Sequence, residues 1–201
     1  MLKRIDNYIT NMSDLKQVIL VYILTWICPL LVYNIMKSTL SSIIAYLLFI
    51  LFVIYLTTRK GTIEDLGIKK PSKRILGEMI IVIIVGVIYK ICFHRTDRAH
   101  PLFILFYQMC FVAPGEEIVF RGFIGRKLPI KNRVIRYVIA GVLFSFVHLP
   151  MYLNMGYDQG LALFQQNFMM HVLVTIQYQI IYDYFNSFIP TTIFHGLGNW
   201  W

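Results

Sequence analysis

Cysteine is scarce in this sequence, with three among 201 residues. Cys28, Cys92 and Cys110 stand in apolar segments, and no CxxC or Cys/His zinc spacing occurs. That excludes the zinc-ribbon and dithiol classes, and the three are expected to pack as small hydrophobes. HExxH is missing, so the common helical zinc-protease signature is absent too. There is no internal repeat and no low-complexity tract. No cleavable signal peptide is evident: the first apolar run begins near Leu15, lacks a small-residue cleavage site, and is long enough to span a bilayer.

Apolar residues are abundant instead. They make up 58% of the chain, above the 45–50% usual for soluble domains, which points to a membrane protein. The length suits one integral-membrane domain over 1–201. A spanning helix needs about 20 apolar residues. Runs at 15–36, 39–57, 75–93, 101–127, 133–150, 160–182 and 188–201 qualify, the last being short. The fold class read from them is all-α, a polytopic bundle of about seven transmembrane helices. A polar insertion, "GTIEDLGIKKPSKR", separates the second and third runs and is expected to form a short interfacial helix.

The net charge of +9 does not imply nucleic acid, because the basic residues lie between apolar runs as positive-inside anchors do. With a cytoplasmic N-terminus, the inner segments hold 3 + 6 + 5 = 14 Lys and Arg and the outer segments 4, with Arg121 inside the fourth run. This orientation is therefore expected.

Among the polar side chains inside the runs, Glu78, Glu116, Glu117, Arg121, His148, His171, His195 and Asn199 stand out. Glu117 and Arg121 are spaced i,i+4 and can pair, as are Phe144 with His148 and His195 with Asn199. Glu116 lies about 100° around the helix from Glu117, away from the arginine. From the inner ends of their runs, Glu116 lies roughly 18 Å deep, His148 roughly 22 Å, and His195 and Asn199 about 10 and 16 Å. Three helices could thus present one buried polar site. Among the rest, Glu78 is expected to snorkel to the interface and His171 to pack structurally. His94 and His100 are expected in a solvated outer loop, and Trp200 and Trp201 suit an interfacial belt. Pro114–Gly115 could kink the fourth helix or form a packing notch.

The segments "EEIVFR", "FSFVH" and "HGLGN" match EExxxR, FxxxH and HxxxN in that order on hydrophobic runs. Together they resemble the CAAX-protease and bacteriocin-processing family of intramembrane proteases, also called CPBP or ABI. The resemblance covers roughly Pro101 to Asn199, so the motif-bearing core is about 101–201. It implies an intramembrane endopeptidase acting on a membrane-associated peptide or protein.

Peptide hydrolysis needs an activated water and a donor for the developing oxyanion. Glu116 is the expected base, with His148 sharing or orienting its water. His195 and Asn199 would serve the oxyanion, while Glu117, Arg121 and Phe144 support them. These roles agree with what the resemblance implies for the motif positions. Glu116, His148 and His195 could alternatively hold zinc, but Asn199 is a poor zinc ligand, and a site without cofactor gives it a task. The expected partners are the substrate and the lipid bilayer, in a bacterial cell membrane. The role implied is peptide or pheromone maturation or bacteriocin self-immunity. A non-catalytic immunity or regulatory binding protein is the alternative, and a small proton-relaying transporter a third reading.

Overall fold

The apolar runs fold as helices joined by short polar links, and the computed structural model describes residues 8–36, 39–93 and 101–199. In chain order these are α1 (Asp14–Met36), α2 (Thr39–Thr58), a single 3-10 turn (Ile63–Leu66), α3 (Lys73–Phe93) and α4 (101–127). Then come α5 (Arg133–Val147), α6 (Leu149–Leu153), α7 (Tyr157–Phe185) and α8 (Phe188–Gly198). No strand occurs among the described residues. Phe103–Lys127 and Arg133–Leu153 are long and apolar enough to cross a membrane, and Ile43–Thr58 and Ile75–Ile88 are shorter apolar helices. The expectations for His94, His100 and Trp200–Trp201 fall outside the described residues.

Among the described residues each expected run folds as a helix, the seventh ending at Gly198, and the fifth and sixth change their bounds for identifiable reasons. The fifth run stops at Val147 rather than continuing to 150. Pro150 has no N–H to donate and cannot continue the backbone ladder unbroken. The chain restarts as the short α6, with His148 at the break. The sixth run is longer than its apolar stretch, over Tyr157–Phe185, and ends where Asn186 takes a left-handed conformation (φ 47). Side-chain caps start the neighbouring helices. Asn132 accepts from the Ile135 N–H at 3.1 Å, and Ser187 from the Ile189 N–H at 3.3 Å.

The core joins the N-terminal helices to the motif-bearing half. Val18 and Val21 of α1 and Val53 and Leu56 of α2 pack with Ile118, Phe120 and Phe123 of α4, and with Ala140 and Phe144 of α5. Tyr22 donates to the Leu143 carbonyl at 3.2 Å, and Lys127 to Gln17 Oε1 at 2.9 Å. Gly141 lets α5 approach α7 closely: a Cβ there would stand 3.0 Å from the Val172 carbonyl oxygen. Residues 141, 144, 145 and 148 share that face at helical spacing, and Ser145 donates to the Phe168 carbonyl at 2.9 Å.

Two expectations need correction. Cys92 and Cys110 are free and exposed rather than packed inside. Their runs are apolar on all sides, so apolar context alone did not mark the inward face. The polar insertion is also more than an interfacial helix. Its Leu66 is buried in the core, and the Gly67 carbonyl accepts from the Phe188 N–H at 3.3 Å. Arg126 ties it down by donating to the Asp65 carbonyl at 2.9 Å.

Gly67 is left-handed (φ 67), and a Cβ on it would lie 2.5 Å from the Tyr182 hydroxyl. Gly67→Ala is expected to cost about 1–2 kcal/mol from the backbone conformation alone. Thermal melting in detergent should show it as a lowered Tm. Gly77→Ala is the control, because a Cβ there meets nothing within 4 Å and should be neutral or mildly stabilising.

Candidate active site

The site begins with the winding of α4. Residues Gln108–Val112 and Glu117–Ile124 follow i→i+5 hydrogen bonding, and Ala113–Glu116 between them is α-helical. Pro114 explains the first widening. In an unbroken α-helix its ring would press on the carbonyl four residues back and its position would lack a donor. A wider turn just before it relieves both problems, so the expected kink takes this form. The second stretch starts at Glu117, so Glu116 and Glu117 straddle a change in helical pitch. Such insertions recur at functional sites.

Glu117 and Arg121 have side chains with 0% exposure and pair at 3.4 Å between Oε2 and Nε. The approach is an ion pair without hydrogen-bond alignment: Glu117 Oε2 and Arg121 Nε make no hydrogen bond. The guanidinium is held by other groups as well. It lies 4.3 Å from the Phe144 ring centroid and 5.5 Å from that of Tyr178, and its Nη2 donates to Thr175 Oγ1 at 3.4 Å. Stacking on aromatic faces away from solvent is a favourable setting for a guanidinium.

His195 reaches this pair from α8. Its Nδ1 donates to Glu117 Oε1 at 2.7 Å, and its Nε2 lies 3.4 Å from Glu116 Oε2. One imidazole thus stands between the two adjacent carboxylates. Glu117 is therefore more than the partner of Arg121, because it also sets the orientation of His195. Glu116 has partners besides His195. Tyr46 of α2 donates its hydroxyl to Glu116 Oε1 at 3.2 Å, and Oε2 has no hydrogen bond in the protein.

His148 owes its geometry to the end of α5. Its backbone N–H bonds the Ser145 carbonyl at 3.1 Å, which leaves the Phe144 carbonyl without its usual i+4 donor. The His148 ring supplies the missing bond, with Nδ1 donating to Phe144 O at 2.8 Å. That bond fixes Nδ1 as the protonated nitrogen and leaves Nε2 for the site. Phe144 is central to the cluster. Its ring centroid lies 4.6 Å from that of His148 and 6.2 Å from that of His195, with Arg121 over its face.

Asn199 is placed differently from the expectation. It caps α8 at the exposed end, where its Nδ2 donates to Gln108 Oε1 at 3.3 Å. It is one turn from His195 and tied to the first widened stretch of α4. Glu78 sits half-buried on α3.

Several residues at the site were not singled out from the sequence. His171 was expected only to pack, yet its ring centroid lies 4.9 Å from that of His148, and its buried Nδ1 has no hydrogen-bond partner. Thr175 and Tyr178 touch Arg121, and Gln179 donates to the Arg121 carbonyl at 3.4 Å. His171, Thr175 and Gln179 repeat every four residues on an apolar helix. That polar stripe was the available signal. Tyr46 and Gln108 carried no comparable mark.

Among the described residues, no group of three or more His, Cys, Asp or Glu is arranged to hold a metal ion.

A family model described as type II CAAX prenyl endopeptidase, Rce1-like, matches residues 98–201. The chain belongs to this Rce1-like family. The match spans 201 − 97 = 104 of the 201 residues and includes EExxxR, FxxxH and HxxxN. No curated protein and no solved structure matches the chain. Membership brings a protease family, a peptide substrate and a membrane setting. The apolar helices of this Rce1-like chain agree with an integral membrane protein.

Proposed function

We propose that this Rce1-like chain hydrolyses a peptide bond within the bilayer by glutamate-activated water, without a metal. The observation that carries the reading is His195 set between Glu116 and Glu117, with Glu117 held by Arg121. Only one of the two carboxylates is matched by the fixed cation, which leaves Glu116 Oε2 to take a proton.

In this reading Glu116 Oε2 removes a proton from water while His148 Nε2 accepts the water's other hydrogen bond. The water oxygen attacks the carbonyl carbon, and the carbonyl π-electrons move onto oxygen. His195 Nε2, when protonated, donates to that oxyanion, with Nδ1–H kept on Glu117. Asn199 lies one helical turn further along as a second donor to the substrate backbone. The proton held by Glu116 then passes to the amide nitrogen, the C–N bond breaks, and the amine leaves. Preorganised donors of this kind contribute most in a water-poor site.

The same reading takes residues 1–201 as one seven-span domain with a cytoplasmic N-terminus, supported by the 14-to-4 distribution of basic residues. The substrate is a membrane-associated peptide or protein. The family description adds a prenylated CAAX segment to the candidates, beside the peptide-maturation and bacteriocin-immunity roles suggested by the CPBP resemblance in a bacterial membrane.

The test is to map new peptide N-termini in membranes expressing wild type or Glu116→Ala at equal levels. Termini present only with wild type support the peptidase and identify its substrate. Identical termini, with any biological effect of the chain retained in the variant, overturn it in favour of a binding role.

A further inference from the structure

The family match begins at residue 98, yet one of the hydrogen bonds to Glu116 comes from α2. Tyr46 donates its hydroxyl to Glu116 Oε1 at 3.2 Å. A second observation supports a built contact. Gly115, the residue before Glu116, leaves room for the Tyr46 ring, and a Cβ there would stand 2.7 Å from Tyr46 Cδ1. Ala45, Val53 and Leu56 are buried on the same helix, so α2 is anchored in the core rather than resting loosely beside it.

The chemistry of the contact is directional. A phenol O–H facing a carboxylate can only donate, so it occupies one oxygen and leaves the other. Oε2 is the oxygen left over, 3.4 Å from His195 Nε2 and without a hydrogen bond in the protein. A carboxylate held at one oxygen by a donor on another helix loses freedom to rotate about its terminal bond. Its second oxygen then keeps one bearing.

We propose that Tyr46 is a positioning residue for Glu116, holding Oε1 so that Oε2 stays turned toward His195 and the attacking water. The inference rests on the peptidase reading above. It makes α2 a contributor to the site and gives Gly115 a task, which is to seat the tyrosine ring.

The test uses the full chain in lipid nanodiscs and in expressing membranes. The infrared carboxylate band of Glu116 is isolated as wild type minus Glu116→Gln, then again in a Tyr46→Phe background. Loss of the phenol should shift that band. The rate at which Glu116-dependent N-termini form should fall on the order of 10–100-fold, the usual consequence of a catalytic group displaced by about 1 Å. Tm should stay near wild type, because only a hydroxyl is removed. Gly115→Ala should reproduce the band shift and the rate loss by displacing the ring, and provides the readout should Tyr46→Phe fail to fold. An unshifted band with a wild-type rate in both variants overturns the role of Tyr46 and leaves the peptidase reading standing. Termini that do not depend on Glu116 at all overturn the peptidase reading and this inference with it.

Discussion

Arg121→Leu is expected to abolish most of the folded protein. Arg121 and Glu117 are both fully buried and 3.4 Å apart. Removing one partner of such a pair leaves an uncompensated charge, at a cost of about 3–5 kcal/mol. A typical domain holds only about 5–15 kcal/mol in total. The loss extends beyond the pair, since the guanidinium also donates to Thr175 and stacks between Phe144 and Tyr178. Arg121→Lys should not rescue it, because an ammonium cannot stack as a plane over Phe144. The double change Glu117→Leu with Arg121→Leu should recover much of the stability, since apolar replacement removes both charges together. Yield of monodisperse protein and thermal melting in detergent read this directly. A Tm for Arg121→Leu within roughly a degree of wild type would mean the pair is not holding the bundle.

His195→Gln is expected to behave in the opposite way, leaving the fold and removing the activity. The Glu117–Arg121 pair remains, and a glutamine can still donate one N–H toward Glu117. Both of its N–H groups sit on one nitrogen, so it cannot hold a separate, protonatable nitrogen beside Glu116, where the imidazole now places Nε2 at 3.4 Å. Loss of a single preorganised oxyanion donor costs roughly 100- to 1,000-fold in turnover. The measurement is the rate at which Glu116-dependent N-termini form at matched expression, together with Tm. A wild-type rate in His195→Gln, beside an inactive Glu116→Ala, would confine His195 to orienting Glu117 and would remove it from the chemistry.

Much of the helix plan was legible because hydrophobic run length is a local property. Among the described residues the seven runs and their helices agree to within about three residues at each end, the differences falling at the fifth, sixth and seventh. The exceptions came from Pro150, which stops α5, and from α7, which runs three residues past its apolar stretch at each end, to Tyr157 and Phe185. Within a helix the spacing of Glu117 and Arg121 also announced their pairing, since i,i+4 neighbours share a face in any nearly α-helical winding. What spacing could not announce was the change to i→i+5 winding at Glu117.

Contacts between helices were the harder part. The motifs identified Glu116, His148 and His195, but not which nitrogen of each histidine faces what. That depended on a carbonyl left without its backbone donor at the end of α5, and on a carboxylate presented by α4. Asn199 was legible as a polar group one turn from His195, yet its partner Gln108 comes from another helix. Tyr46 was invisible for the same reason, and the His171 stripe, though readable as a pattern, did not say which neighbours it meets. Their rotation toward the site is set by close approaches at Gly115 and Gly141, where a missing side chain lets two helices meet.

By itself, the sequence determined the helical class, the approximate helix ends and the set of polar groups placed in apolar surroundings, because each depends on neighbours a few residues apart. The tertiary structure alone decided that His195 stands between two glutamates, that Phe144 carries Arg121, and that α2 delivers a hydroxyl to Glu116. Those contacts depend on helix rotation and tilt, which side chains far apart in the chain settle together as they pack.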